Sequence, residues 1–177
     1  MPSTYTLISS NVLSSTAASV TFSAIPSTYT DLVLRTSTRQ DQSFANAKLF
    51  GIYFNGDNSN LYSATVLNGT GAAASSTRTD NPGSATQYDS IYVRGSDLST
   101  DTSNTFASSE IYIPSYRATQ ARVVGSFSAT ENNATTAYIS ALAGLYTGTT
   151  AVTSIGIQAV ATFEIGSSFY LYGIKNS

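Results

Sequence analysis

Histidine and cysteine are both missing from this chain, and the chemistries those side chains carry go with them. Without a thiol there is no disulfide, no thiolate nucleophile and no zinc–sulfur site, so packing alone must hold the fold. Without an imidazole, a serine nucleophile lacks its usual base. The lysine-based variants need a Ser-x-x-Lys spacing, and neither Lys48 nor Lys175, the two lysines of the chain, has it. Charge is scarce as well: charged residues make up 10%, against roughly 25% in ordinary soluble domains. With eight basic and ten acidic residues and a net charge of −2, there is no basic stripe to hold a phosphate backbone, which argues against nucleic acid as a partner. Long apolar runs are absent too. The opening "MPSTYTLISSNVLSS" has neither the basic start nor the apolar stretch of a signal peptide, and no later segment approaches the ~18 apolar residues of a membrane helix. A soluble chain made in a cytoplasm, with no membrane partner, is the expectation.

What is abundant points one way. Serine and threonine supply nearly a third of the residues, with 12 Tyr and 8 Phe beside them, and Thr, Tyr and Phe suit the pleated, half-buried surface of a strand. Apolar and polar residues alternate with a period of two along the whole length, whereas the i, i+3, i+4 spacing of an amphipathic helix is hard to find. In "SVTFSAI" the period puts Val20, Phe22 and Ala24 on one side and Ser19, Thr21 and Ser23 on the other. Ten or eleven strands follow from this pattern: 5–9, 19–24, 31–36, 48–54, 61–67, 90–93, 110–113, 122–128, 138–145, 154–163 and 168–174. Short strands with polar loops and no repeat predict one all-β domain over 1–177, an antiparallel β-sandwich, jelly-roll-like, of about ten strands.

The connections have their own chemistry. Asn55-Gly56 tolerates positive φ and predicts a hairpin between the strands ending at Phe54 and starting at Leu61. In "IPSTYTDLVLRTSTR", Ile25 to Arg39, Pro26 ends one strand and Ser27 and Thr28 turn the chain. Leu32 and Leu34 then restart the period toward the core, with Asp31, Val33 and Arg35 on the far side and Tyr29 bracing the bend. Pro82 and Pro114 also mark strand limits. Two polar segments, 68–89 and 95–105, read as long loops, a functional excursion or a mobile flap.

Few side chains could carry chemistry. Glu110 and Glu164 are the candidates for a glycosidase carboxylate pair, set against the plainer role of an outward-facing residue or a partner for Arg117 or Arg122. Asp57, within the oxygen-rich "NGDNSN" of Asn55 to Asn60, could meet a calcium ion, although the letters equally spell an Asn-Gly turn. "NGTGAAAS" from Asn68 has glycines but no following helix or lysine for a phosphate. Asn68 and Asn133 match a glycosylation acceptor that a cytoplasmic chain does not use. Tyr53, Tyr62, Tyr88, Tyr92, Tyr112 and Tyr116 could offer a stacking platform to a sugar, or simply edge the core with their hydroxyls in water. None of these is assigned as a catalytic, cofactor or metal site.

Four stretches together resemble a known group. The "TYTLISS" start, the Ile25-Pro26-x-x-Tyr29-x-x-Leu32 corner, the Asn55 to Asp57 turn and the "GSSFYLYGI" end from Gly166 to Ile174 are similar to short virion proteins of tailed bacteriophages of marine and cyanobacterial hosts. The likeness covers about a third of the chain and carries no catalytic position. It implies a non-enzymatic decoration or cement protein on the outer surface of the virion, a homotrimer bound to the major capsid protein. The alternative it implies is the receptor-binding head of a tail fibre or spike, with a host-surface glycan as partner.

Overall fold

The computed structural model describes residues 4–42, 48–80 and 90–175. They form thirteen strands: β1 (Tyr5–Val12), β2 (Ala17–Phe22), β3 (Asp31–Gln40), β4 (Leu49–Phe54), β5 (Tyr62–Gly69), β6 (Ala74–Asp80), β7 (Ile91–Arg94), β8 (Asp97–Leu98), β9 (Ala107–Ile113), β10 (Arg122–Asn132), β11 (Thr136–Tyr146), β12 (Ile155–Phe163) and β13 (Ser168–Ile174). A larger antiparallel layer has the order β1-β13-β3-β9-β10-β11-β5-β6. A smaller one has the order β2-β12-β4-β7. β3 outruns the larger layer, so Gln40 pairs with Phe163 of β12 while Arg39 and Gln40 pair in parallel with β8. That overrun joins both layers into one curled sheet. The fold is the all-β, sandwich-like architecture that the alternation predicts.

All eleven predicted strands are present, and two more were hidden in the segments read as loops. β6 folds back on β5 through a tight turn in which the Thr70 amide donates to the Ala73 carbonyl (3.0 Å) and Gly71 has a φ of 82°. Its "ASSTRTD" has no apolar alternation because its described side chains face solvent. β8 is two residues long, placed by the burial of Leu98. Pro82 and Tyr88 lie outside the described residues.

The inner faces meet in one core. Leu32, Leu34, Ile111, Ile113, Val124 and Leu171 from the larger layer oppose Phe22, Phe50, Ile52, Phe54, Ile155 and Ile157 from the smaller. Along the larger layer the inner face then turns polar at one register. Thr36, Ser109, Ser128, Ser140 and Asn68 are successive cross-strand partners on five neighbouring strands. The first four are buried, and the segment after β7 closes over this hydroxyl row: Thr38 Oγ1 and Ser109 Oγ both donate to the Gly95 carbonyl.

The Ile25–Arg39 corner is a bend, as its residues predict, but two side-chain directions differ. Ala24 does not join Val20 and Phe22: β2 ends at Phe22, Ala24 takes a φ of 53° and is exposed, and Ile25 turns inward in its place. Asp31 and Val33 are on the outer side of β3 yet buried, because β3 is an interior strand and Val33 is flanked at the same register by Tyr112 and Tyr172. Only Arg35 of that set is exposed. Tyr29 does brace the bend, its ring filling the space that a Cβ on Gly173 would need. The Tyr116 hydroxyl donates to the Pro26 carbonyl and the Asp31 carboxylate accepts from the Ser115 amide (2.7 Å), tying the corner to the end of β9.

Candidate interaction face

The residues with the most chemical promise in the sequence are held apart. Glu110 pairs with Arg35 at 2.8 Å on the outer side of the larger layer, and Glu164 pairs with Arg39 at 2.9 Å. Each carboxylate is committed to a different guanidinium, and those two arginines stand roughly 13 Å apart along β3. Arg117 and Arg122 do not partner either glutamate: Arg117 is exposed, and the buried Arg122 donates to the carbonyls of Tyr116, Ala118, Gly148 and Thr150, with its guanidinium 5.6 Å from the Tyr146 ring centre.

The Asn55 turn is structural. Asp57 Oδ1 accepts from the Ser59 hydroxyl (2.5 Å) and amide (3.0 Å), and Oδ2 accepts from the Tyr146 hydroxyl. The Ser59 hydroxyl bond leads the influences that hold the Asp57 carboxyl below its usual range, against the opposing pull of burial. Asn55 clasps the loop before β12, donating to the Ala151 carbonyl and accepting from the Thr153 and Ser154 amides. Among the described residues no three His, Cys, Asp or Glu side chains gather in a metal-binding group. Asn68 accepts from the Ser140 hydroxyl (2.8 Å), and Asn133 is exposed in the β10–β11 turn.

Of the tyrosines that could stack on a sugar, Tyr62 and Tyr116 are buried, Tyr62 stacking on Tyr146 at 4.8 Å. Tyr53 and Tyr92 are half-buried on the smaller layer. Among the described members of the set, Tyr112 alone stands on an open face, its hydroxyl donating to Asp31 (2.8 Å), a bond that raises the phenol above its ordinary value.

A buried ionic group went unread in the sequence. Lys48 Nζ, almost without exposure, contacts the Asp101 carboxylate, lies 3.8 Å from Asp97 and donates to the Glu131 carbonyl (2.7 Å). Desolvation is the leading influence on Asp97 and pushes its carboxyl up. Burial also acts to raise Glu131, but the Ala134 and Thr102 amides and the Thr105 and Thr102 hydroxyls outweigh it and hold that carboxyl down. Arg39 adds bonds to the carbonyls of Thr102 and Thr105. These contacts staple 95–105 to the curled sheet, and the signal for them was a lysine opening a strand in a charge-poor chain whose later polar segment carries two aspartates.

The feature with the greatest reach is the outer face of the larger layer. Nine large apolar side chains are exposed among the described residues, and eight share this face. Tyr5, Leu7 and Val12 come from β1, Tyr112 from β9, Val123 and Phe127 from β10, Ile139 from β11 and Leu67 from β5; the ninth, Ile165, is in the β12–β13 turn. Cross-strand register puts them on one side: Leu7 opposes Tyr172, and Tyr112 opposes Val33 and Gly125. Together they expose on the order of 750 Å² of surface, close to the roughly 800 Å² that each partner covers in a standard protein contact. The outer face of the smaller layer is different, with Ser19 and Thr21 exposed and Tyr53, Tyr92 and Gln158 half-buried.

The large face has two halves. Around β1, β13, β3 and β9 it is aromatic and charged: the Arg35 guanidinium lies 5.9 Å from the Tyr5 ring centre and 5.8 Å from that of Tyr172, beside Glu110. A basin of about 420 Å³ lined by Arg35, Glu110, Tyr170 and serines adjoins it. Around β10, β11 and β5 the face is apolar, with Phe127 its one exposed aromatic side chain among aliphatic ones. No family model matches the chain, and no curated protein or solved structure is significantly similar to it.

Proposed function

We propose that this chain is a non-enzymatic structural protein of a tailed-bacteriophage virion, a decoration or cement protein on the outer capsid. The observation that supports it most is the gathering of eight exposed apolar side chains on one face of one layer, since that much apolar surface on one side of a chain marks an interaction face. The particle type comes from the resemblance of the two ends and the Asn55 turn to phage virion proteins. Its action is mechanical: copies bridge neighbouring molecules of the major capsid protein, each contact burying on the order of 1,000 Å² or more, and homo-oligomeric symmetry multiplies a modest contact into avidity. The engagement of Glu110 and Glu164 with separate arginines fits a protein that works by area.

Copy number tests the reading. Quantitative protein gels or mass spectrometry of purified particles should give hundreds of copies per virion, distributed over the capsid. A handful of copies at the tail tip would instead favour the receptor-binding head of a fibre or spike. That second reading draws on one observation, the exposed tyrosines around the Arg35–Glu110 pair, a combination able to stack on and hydrogen-bond a host glycan. Absence from purified particles would overturn both.

A further inference from the structure

The apolar half of the outer face, around β10, β11 and β5, has a composition that narrows what can cover it. The outward positions are 123, 125, 127 and 129 on β10, 139, 141, 143 and 145 on β11, and 65 and 67 on β5. None is charged. Four side chains stand out as knobs: Val123 and Phe127, 59% and 56% exposed, with Leu67 and Ile139, each about half exposed. Between them the relief drops. Gly125 separates the two β10 knobs with open space above it, and beside Val123 runs a groove of about 460 Å³ floored by Thr65 and Ala143 and edged by Leu145 and Arg78.

Specific contacts between unlike proteins draw on charge complementarity for register and for rejection of wrong partners. The centre of this surface offers none, charge being confined to Glu110 and Arg78 at its margins, so its match is a surface whose centre is equally free of charge and that carries knobs where this one has hollows. This same half of the chain meets that description, holding knobs and a groove side by side. A contact between two copies places each residue against its counterpart's neighbours, which is the self-complementary arrangement of an isologous interface. The four knobs alone expose on the order of 400 Å² per copy, or about 800 Å² across a pair, and the alanines, Thr65 and glycine backbone between them extend this toward the ~1,200 Å² at which specific interfaces begin. The geometry points to a second copy of this chain as the occupant, with Phe127 of each copy seated over the groove of the other. The inference rests on the outer face being an interface, and leaves the Arg35 half for a different partner.

Analytical ultracentrifugation of the purified chain tests it, with no phage particle present. The unmodified chain should sediment as a discrete oligomer in the micromolar range. Phe127→Asp should weaken self-association by roughly thirtyfold or more, the loss typical of a central aromatic anchor. Leu67→Glu, on a different strand, should act in the same direction, and Arg35→Ala should leave the oligomer intact. Circular dichroism and thermal melts establish that each variant is folded. A monomeric parent chain overturns the inference, as does an oligomer that persists in folded Phe127→Asp or dissociates only in Arg35→Ala. An oligomer of the expected behaviour from a protein absent from virions would sink the virion reading and leave this one standing.

Discussion

At the scale of single residues, burial and register decide consequence. Leu34 has no exposed surface and Phe22 almost none, and they come from opposing layers of one core. Truncation removes contacts and leaves a cavity that interior strands cannot collapse, so Leu34→Ala and Phe22→Ala should each lower the unfolding free energy by about 2–5 kcal/mol in urea titrations. Ser23→Ala, at an exposed position beyond the end of β2, should change it by less than about 0.5 kcal/mol. Melts that rank Ser23 with Leu34 would refute the inward register of β2 and β3. Leu34 and Phe22 were readable from alternation alone. Ala24 was not, because the period carries no record of the point at which a strand yields to a positive-φ bend.

At the scale of elements, β8 and the segment around it depend on charge rather than apolar area. Lys48 holds Asp97 and Asp101 against a buried surface, and the Asp101 carboxylate also accepts the Leu98 amide (2.8 Å). Lys48→Met strands two carboxylates without their cation, a change that typically costs about 3–5 kcal/mol at buried pairs. Hydrogen exchange at the Leu98 and Thr102 amides should accelerate more than at β3 or β9. Replacing Asp97 and Asp101 by Asn in the same variant should restore part of the loss; no acceleration in Lys48→Met would mean that the ion group does not secure the segment. Neither β6 nor β8 was visible in the sequence. One is an edge strand with no core face to impose alternation, and the other is shorter than a single period of the pattern.

For the molecule as a whole, pH sensitivity should sit on the acid side. With no histidine there is no imidazole to titrate near neutrality. Glu131 and Asp57 have folded values below their ordinary 4.5 and 3.8, so each favours the fold above those values and loses that contribution as pH falls through the folded value. Asp97 is shifted upward from 3.8 and acts with the opposite sign, costing stability while ionised and relaxing as the pH drops. Thermal melts should therefore be flat around neutrality and fall in acid. Glu131→Gln should melt lower than the parent at pH 7, with the difference shrinking below the ordinary glutamate value of 4.5. A gap that widens in acid would contradict the assigned hydrogen bonds from Thr102, Thr105 and Ala134.

Composition and period two were enough for the all-β class, the eleven main strands and the bend at Pro26, because each follows from local preference and from which face of a strand meets water. They were also enough to remove thiol and imidazole chemistry from consideration. The interaction face required the tertiary structure. In "RVVGSFSAT" both parities are apolar, Val124 pointing inward and Val123 and Phe127 outward, and no local rule distinguishes a core position from an exposed one of the same kind. Cross-strand register alone brings residues as distant as Tyr5, Leu67, Phe127 and Ile139 onto a single surface. The same holds for Lys48 and its carboxylates, because attraction between buried charges depends on distance in space and leaves no period in the chain.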